Sequence, residues 1–356
     1  MASIQLDCAA GWTEVDPNPD GPKLLVEHAG RLRYMGSDGR WLHDFGPVGP
    51  VDCPLAYDAS TRTAYRYVCG SKLSLPDFSQ LRAYSIDSAS SRAVCQLPLN
   101  QWVLWMLEWL GEEDGKGQLF GLLSSDLPVE GQVCIEHRLF ALDPSTMKAA
   151  QPRVRSLCSD AYKPLAFSVR RKELVFSGAS GTYLVGLKGE RLTTLEPDLV
   201  SPADGAAFHP GGDSQVVLGG EGLHLWDLRT GESRHLNKLG RHPVWARDGK
   251  GFWFAGSSGA LLFYDLESET VEPVLAIRQN RCPDFWKSRP VRVSLCGNYL
   301  AAMLSAKRLK GITRKTGGIE KSEKVYQAQD CFCILHLPSQ TFWRIEGAFF
   351  SAFRWL

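Results

Sequence analysis

The chain has 356 residues, of which 44% are hydrophobic and 22% charged, and its formal net charge is +1. These values are ordinary for a globular protein and give no overall bias towards nucleic acid or acidic membranes. Met1–Cys8 lacks the charged-then-apolar pattern of a secretory signal, and no run of 18 apolar residues predicts a membrane span.

The ten cysteines form no C-x-x-C pair, and most of them lie inside apolar runs. Buried free thiols in a reducing compartment fit this distribution best, so we expect a cytoplasmic protein. The sequence contains no phosphate loop, no G-x-S-x-G elbow and no H-E-x-x-H motif. Cys331 and Cys333 share one strand face but offer two ligands where structural zinc needs four. We expect neither a cofactor nor a metal.

The predicted strands come in groups of four, short and rich in aromatic and β-branched residues, with Gly, Asp or Ser in the turns between them. The clearest group consists of Pro243–Ala246, Gly251–Gly256, Ala260–Asp265 and Thr270–Val274. Four antiparallel strands in about 35 residues are typical of one blade of a β-propeller.

An apolar residue closes the third strand of each group, directly before a four-residue polar turn. In chain order this position is taken by Met35, Ile86, Leu142, Leu187, Leu228, Leu266 and Leu337. The closest of these positions recur at about the 40–45-residue period of propeller blades, and the wider spacings indicate insertions.

We therefore predict an all-β fold, a single seven-bladed β-propeller domain over residues 1–356 built from four-stranded antiparallel blades. The blades are predicted at 15–46 with 350–356, 52–97, 100–150, 163–195, 204–236, 242–276 and 289–346. The C-terminal run Ser351–Leu356 then supplies the innermost strand of the first blade and closes the ring. One alternative gives that strand to Ile4–Leu6, and six or eight blades are further alternatives.

The dipeptide Trp226-Asp227 closes a third strand and resembles a WD-repeat blade. The stretch from Pro243 to Gly256 is similar to blades of the TolB-like and WD40-like propellers. The resemblance covers residues 160–276 and implies a toroidal fold that serves mainly as a binding platform. Most of the other groups lack the Trp-Asp dipeptide.

If the strands of a blade run a, b, c, d outward from the axis, their antiparallel order puts the b–c and d–a connections on one face of the disc. The long b–c insertions are Gly70–Ser79, Ser124–Gly131 and Ala306–Gln329, and the long d–a connections are Gln151–Lys163 and Ile277–Ser288. We expect binding residues on this face, because loops on a rigid scaffold carry them. Neutral elaboration of the loops is the alternative.

The last insertion is the most basic segment of the chain. It contains Lys307, Arg308, Lys310, Arg314, Lys315, Lys321 and Lys324 against Glu320 and Glu323, and the adjacent connection adds Arg278, Arg281, Trp286 and Lys287. Such a patch suits an acidic protein surface or, with less weight, nucleic acid or a phosphorylated ligand. The opposing charges of Glu112, Glu113 and Asp114 are predicted on the other face. The alternative is a solvated loop without a partner.

We interpret the chain as a non-catalytic scaffold that binds another protein through this face, with no membrane contact and no self-association. A narrower hypothesis is an immunity or chaperone-like protein that neutralises an effector. A competing hypothesis is a propeller enzyme, lactonase- or glycosidase-like, with a site at the mouth of the channel. That site needs carboxylates or metal ligands from several first strands, where only Asp204, His242 and Arg292 lie near strand ends.

Overall fold

A computed structural model of the chain describes most of its length. The described residues are 6–48, 55–68, 80–96, 103–113, 116–129, 132–142, 155–156, 161–178, 181–186, 191–194, 205–212, 214–220, 222–236, 240–256, 260–277, 285–286, 292–316, 319–346 and 352–356. All regular elements in these ranges are β-strands, and none of these ranges holds a helix able to cross a membrane.

The described strands form seven sheets, numbered here in chain order. The N-terminal segment holds β1 (Leu6–Cys8) and β2 (Thr13–Glu14). Sheet 1 has β3 (Leu24–His28), β4 (Arg31–Met35) and β5 (Trp41–Pro47); sheet 2 has β6 (Leu55–Asp58), β7 (Thr63–Val68), β8 (Gln80–Ser85) and β9 (Ser90–Gln96); sheet 3 has β10 (Val103–Glu113), β11 (Lys116–Val129), β12 (Gln132–Leu142) and β13 (Arg155–Ser156).

The remaining sheets follow the same order. Sheet 4 has β14 (Ala161–Ser168), β15 (Glu173–Gly178), β16 (Gly181–Gly186) and β17 (Arg191–Thr194); sheet 5 has β18 (Gly205–Phe208), β19 (Gln215–Gly219), β20 (His224–Asp227) and β21 (Ser233–His235); sheet 6 has β22 (Gly240–Trp245), β23 (Gly251–Gly256), β24 (Leu261–Asp265) and β25 (Val271–Ile277). Sheet 7 has β26 (Phe285–Trp286), β27 (Arg292–Cys296), β28 (Tyr299–Thr316), β29 (Ile319–His336) and β30 (Thr341–Glu346), and the last strand is β31 (Ala352–Trp355).

The C-terminal strand β31 pairs antiparallel with β3, so that Trp355 lies opposite Leu24 and Ala352 opposite Glu27. The predicted pairing of the two chain ends in sheet 1 is therefore confirmed. The alternative, in which residues 4–6 supply the innermost strand of sheet 1, is wrong for Leu6. Strand β1 instead pairs with β25 at the outer edge of sheet 6. Next, β2 pairs in parallel with β30 at the outer edge of sheet 7. The N-terminal segment thus covers two sheet edges that would otherwise be open.

Each pair of consecutive sheets shares one apolar cluster. Representative members are Leu25 with Tyr84 (sheets 1 and 2), Tyr65 with Leu107 (2 and 3), Phe120 with Phe176 (3 and 4), Val175 with Trp226 (4 and 5), Val217 with Phe254 (5 and 6), Leu261 with Leu300 (6 and 7) and Val26 with Phe332 (7 and 1). Face-to-face packing of successive sheets is the arrangement of a β-propeller, and the predicted fold is confirmed at that level. The number of blades and the closure of the ring stay predictions.

Two of the predicted loops are strands. Ser124–Val129 belongs to β11 and pairs with the start of β12, and most of 306–329 belongs to the β28–β29 hairpin. Neither segment shows a regular alternation of apolar and polar residues, so the sequence did not distinguish a loop from a two-stranded ladder. Sheet 3 also extends beyond the predicted boundary at residue 150, because its outermost strand is β13. Gly70–Ser79 lies outside the described residues.

Candidate functional site

The basic segment forms a long β-ribbon. Strands β28 and β29 have 18 residues each and pair continuously from Tyr299–His336 to Thr316–Ile319. Beyond Arg308, their described neighbours are only each other, so about 25 Å of two-stranded ladder extends past the rest of sheet 7. We call 306–316 with 319–329 the basic ribbon. All seven predicted basic residues lie on it, with two glutamates, for a formal charge of +5.

Strand β26 joins the neighbouring connection to the base of the ribbon. Trp286 lies opposite Lys307 and Phe285 opposite Arg308. A d–a connection therefore meets a b–c hairpin, as the strand order predicted for one face of the disc. The other predicted residues of this connection, Arg278, Arg281 and Lys287, lie outside the described residues.

The register divides the seven cations between the two faces of the ribbon, because successive residues of a strand face opposite ways. One face carries Arg308, Lys310, Arg314 and Lys321, and the other carries Lys307, Lys315 and Lys324. Nearer the core, the first face continues the side of sheet 7 that packs on sheet 6, and the second continues the side that packs on sheet 1.

Arg314 lies directly opposite Lys321 in the ladder. Like charges at opposed positions destabilise a strand pair, by up to about 1 kcal/mol. An isolated two-stranded ribbon is itself marginally stable in water.

A second basic feature, which the sequence analysis missed, lies on sheet 1. We call it the Arg–Trp cluster: His28, Arg31, Arg33, Trp41 and Asp44. Nε of Arg31 and Nε of Arg33 both donate to Oδ2 of Asp44, at 2.9 and 3.1 Å. The Arg33 guanidinium lies 4.7 Å from the centre of the Trp41 ring, and the His28 ring stacks on the same indole at 5.6 Å. The only sequence signal was two arginines at alternate positions of one predicted strand.

Hydrogen bonds hold the Asp44 carboxylate in place. Its Oδ1 accepts from the amide of Gly46 at 2.8 Å, across a bulge in β5. The Arg31 guanidinium is the main cause that lowers the pKa of Asp44 to about 2, with Gly46 and Arg33 adding to it. Burial, followed by the charge of Arg33, lowers the pKa of His28. At neutral pH the cluster thus contains two cations and one anion.

The Arg–Trp cluster and the basic ribbon lie on facing sides of neighbouring sheets. Arg31, Arg33 and Met35 alternate along β4, and Met35 packs in the cluster between sheets 1 and 7. Arg31 directly follows the b–c turn of sheet 1, which lies at the same end of the sheet as the ribbon of sheet 7. Arg31 and the ribbon therefore lie at the same end of neighbouring sheets.

The same face also bears negative charge, contrary to the predicted segregation of acidic residues on the opposite side. The described part of the b–c hairpin of sheet 3 contains Asp126 and Glu136 between Ser124 and His137, and no lysine or arginine. Glu112 and Glu113 lie at the β10–β11 end of that sheet, as predicted. The two basic features that the described residues show, the basic ribbon and the Arg–Trp cluster, belong to sheets 7 and 1.

Near the axis, an ion pair connects three innermost strands. Nη1 of Arg354 on β31 lies 3.1 Å from Oε2 of Glu108 on β10 and donates to the carbonyl of Leu55 on β6, also at 3.1 Å. Burial raises the pKa of Glu108, and Arg354 opposes that shift. The signal in the sequence was a single glutamate interrupting the apolar run 102–110. His242 lies in a bulge of β22 with φ of +50°.

Among the residues that the structure describes, no group of three or more His, Cys, Asp or Glu is arranged to hold a metal. Cys331 and Cys333 are buried, with sulfurs 3.6 Å apart, on one strand face as predicted. Asp204 lies outside the described residues. Glu108, the carboxylate that we place nearest the axis, forms an ion pair with Arg354.

A scan against models of known protein families finds no match, and a search of curated protein sequences finds none either. Among solved structures, the chain is similar to the C-terminal WD40 domain of Sif2, with 13% identity and a TM-score of 0.47, over 77% of this chain and 73% of that one. The fold assignment rests on the sheets themselves. In sheet 5, Trp226-Asp227 closes the third strand, and the Asp227 carboxylate accepts from the amides of Arg229 and Thr230 in the turn. Successive sheets packed face to face give the chain a β-propeller fold, and one strand ending, in sheet 5, resembles that of a WD repeat.

Proposed function

We propose that the seven sheets close into a seven-bladed ring and that the ring is a non-catalytic scaffold for binding another protein. Two observations support closure: the pairing of β31 with β3, and the apolar cluster shared by sheets 7 and 1. A rigid ring presents loops and hairpins on its faces, which suits a binding platform.

The partner that fits the cationic part of the face is a protein with an acidic surface. The observation that carries this proposal is the register of β28 and β29, which builds a ribbon of formal charge +5 beyond the sheet. Steering by such a charge raises association rates and weakens with salt, since screening acts over about 8 Å at physiological ionic strength.

We also propose a reducing, cytoplasmic location. Cys8 and Cys95 are free thiols, and the sulfurs of Cys331 and Cys333 lie 3.6 Å apart, too far for a disulfide bond between them. A disulfide map of the native protein would test this, since an oxidised cysteine pair contradicts it.

The test of the binding proposal is affinity purification from native extract, with partners identified by mass spectrometry. Three variants are compared with wild type: one reverses Arg308, Lys310, Arg314 and Lys321 to Glu, one reverses Lys307, Lys315 and Lys324 to Glu, and a control reverses Arg229, Arg247 and Lys250 to Glu. The control changes charge in the c–d and a–b turns, on the opposite face. We expect a salt-sensitive partner that the control retains and at least one ribbon variant loses. Equal recovery of the partner by all variants would exclude the ribbon as its binding site.

A further inference from the structure

The Arg–Trp cluster has hydrogen-bond donors left over. The contacts of Arg31 with Asp44 use Nε alone, and Arg33 uses Nε on Asp44 and Nη1 on Nδ1 of His28 at 3.1 Å. Within the described part of the chain, both Nη groups of Arg31 and Nη2 of Arg33 have no acceptor. The Arg31 side chain is 43% exposed, so these donors are open to solvent.

One carboxylate holds two guanidinium groups side by side. Asp44 neutralises one of the two positive charges, which leaves a net +1 and several oriented N–H donors. A guanidinium presents its donors in a fixed planar fork that matches the two oxygens of a carboxylate or phosphate. The arrangement is thus prepared for a second oxyanion from outside.

The indole beside these arginines contacts two neighbouring side chains and remains accessible to solvent. Trp41 is 42% exposed although His28 and Arg33 flank it. Tryptophan and arginine dominate the strongest contacts of protein interfaces, and side chains that are ordered in advance lose less entropy on binding.

We propose that the Arg–Trp cluster is an oxyanion site that anchors an Asp or Glu carboxylate of an acidic, extended segment of the partner protein. This inference rests on the proposed function and names the chemistry of its anchor point. The neighbouring sheet supports an acidic segment as occupant, because the three-cation face of the basic ribbon lies on the side of sheet 1. Acidic residues that follow the anchored carboxylate then continue towards the basic ribbon.

The test measures fluorescence anisotropy of two labelled peptides of equal charge at low salt, one of glutamates and one of phosphoserines. For wild type we expect the glutamate peptide to bind and inorganic phosphate to compete only at millimolar concentration. Arg31→Gln with Arg33→Gln is expected to weaken binding at least tenfold. Arg31→Lys with Arg33→Lys keeps the charge but loses the fork, and we expect a loss of about threefold or more. Trp41→Ala is expected to weaken binding severalfold.

The matched control is Arg62→Gln, which removes an exposed arginine whose Nε donates to Asp87 at 2.7 Å on sheet 2. It should bind as wild type does, and thermal melts should show all variants folded. No binding by wild type, preference for the phosphoserine peptide, or full binding by the Gln or Lys pair would each overturn the anchor. If only the ribbon variants lose the peptide, the anchor fails while the proposed function stands.

Discussion

Arg354 and Glu108 are 246 residues apart in the chain, and an ion pair joins them near the axis, with Nη1 at 3.1 and 3.3 Å from the two carboxylate oxygens. The same guanidinium bonds the carbonyl of Leu55, so the last strand is tied to the innermost strands of sheets 2 and 3 as well as to β3. The pair supplements backbone pairing at the point where the two chain ends meet.

Arg354→Gln should lower the free energy of unfolding by about 1–3 kcal/mol, because it removes charge-assisted hydrogen bonds and leaves Glu108 without its cation. Deleting residues 352–356 should cost much more, since β3 becomes an open edge. Urea denaturation measures both. As a control, Arg229→Gln removes a highly exposed arginine 3.8 Å from Asp227 and should change stability by less than about 0.5 kcal/mol. Equal effects of the two Gln variants would show that the axial pair contributes nothing.

Arg66 and Glu27 form a buried ion pair between sheets 1 and 2, with exposures of 0% and 2%. Arg66 also donates to the carbonyls of Val48 and Tyr67 at 3.0 and 2.7 Å. Glu27→Gln should destabilise by about 3–5 kcal/mol, because it leaves a buried cation without its carboxylate. Adding Arg66→Met should cost less than the sum of the single changes. The same cycle on the exposed pair Arg234–Glu269 should give a coupling below about 1 kcal/mol, and a similar value for both pairs would contradict the buried role.

The buried His224 should lower the free energy of unfolding in acid. Burial, followed by the charge of His235, lowers its pKa from 6.5 to about 4. The unfolded chain therefore takes up the proton first, so stability is full above pH 6.5 and falls by about 3 kcal/mol as the pH approaches 4. His224→Phe should flatten this part of the pH profile in urea denaturation between pH 7.5 and 4.5. His235→Asn should flatten it less, and an unchanged slope in both variants would exclude His224 as the cause.

Gly249 and His209 lie in turns of neighbouring sheets and contact each other. The Nε2–H of His209 donates to the Gly249 carbonyl at 3.2 Å, and a Cβ on Gly249 would lie 2.2 Å from that nitrogen. Gly249→Ala should cost about 2–3 kcal/mol, since it combines strain at φ of +71° with displacement of the histidine. Gly231→Ala is the matched control, with φ of +76° and nothing within 4 Å, and should cost only about 1 kcal/mol. Equal costs would show that the contact with His209 is unimportant.

The strands and their grouping could be predicted from the sequence because they depend on local patterns. Apolar residues alternating over short runs, bounded by Gly, Asp and Ser, encode a half-buried strand and its turns. The C-terminal pairing followed from the same logic, because the run ending in Trp355 is an extra strand and β3 lacked an inner neighbour. The basic ribbon shows where this kind of prediction fails. Few apolar residues mark either face between Ala306 and Gln329, so the sequence did not distinguish a loop from a two-stranded ladder.

By itself, then, the sequence determined most of the short strands, their repetition in groups, and the basic segment that follows the last inner strand. The tertiary structure alone decided that Arg31 and Arg33 share Asp44 beside Trp41, that Arg354 reaches Glu108, and that Trp286 lies opposite Lys307. The physical reason is that a strand records which of its residues are buried, but not which strand or sheet will lie against them. Bulges, register and the facing of sheets set those partners, and they arise only when the sheets pack.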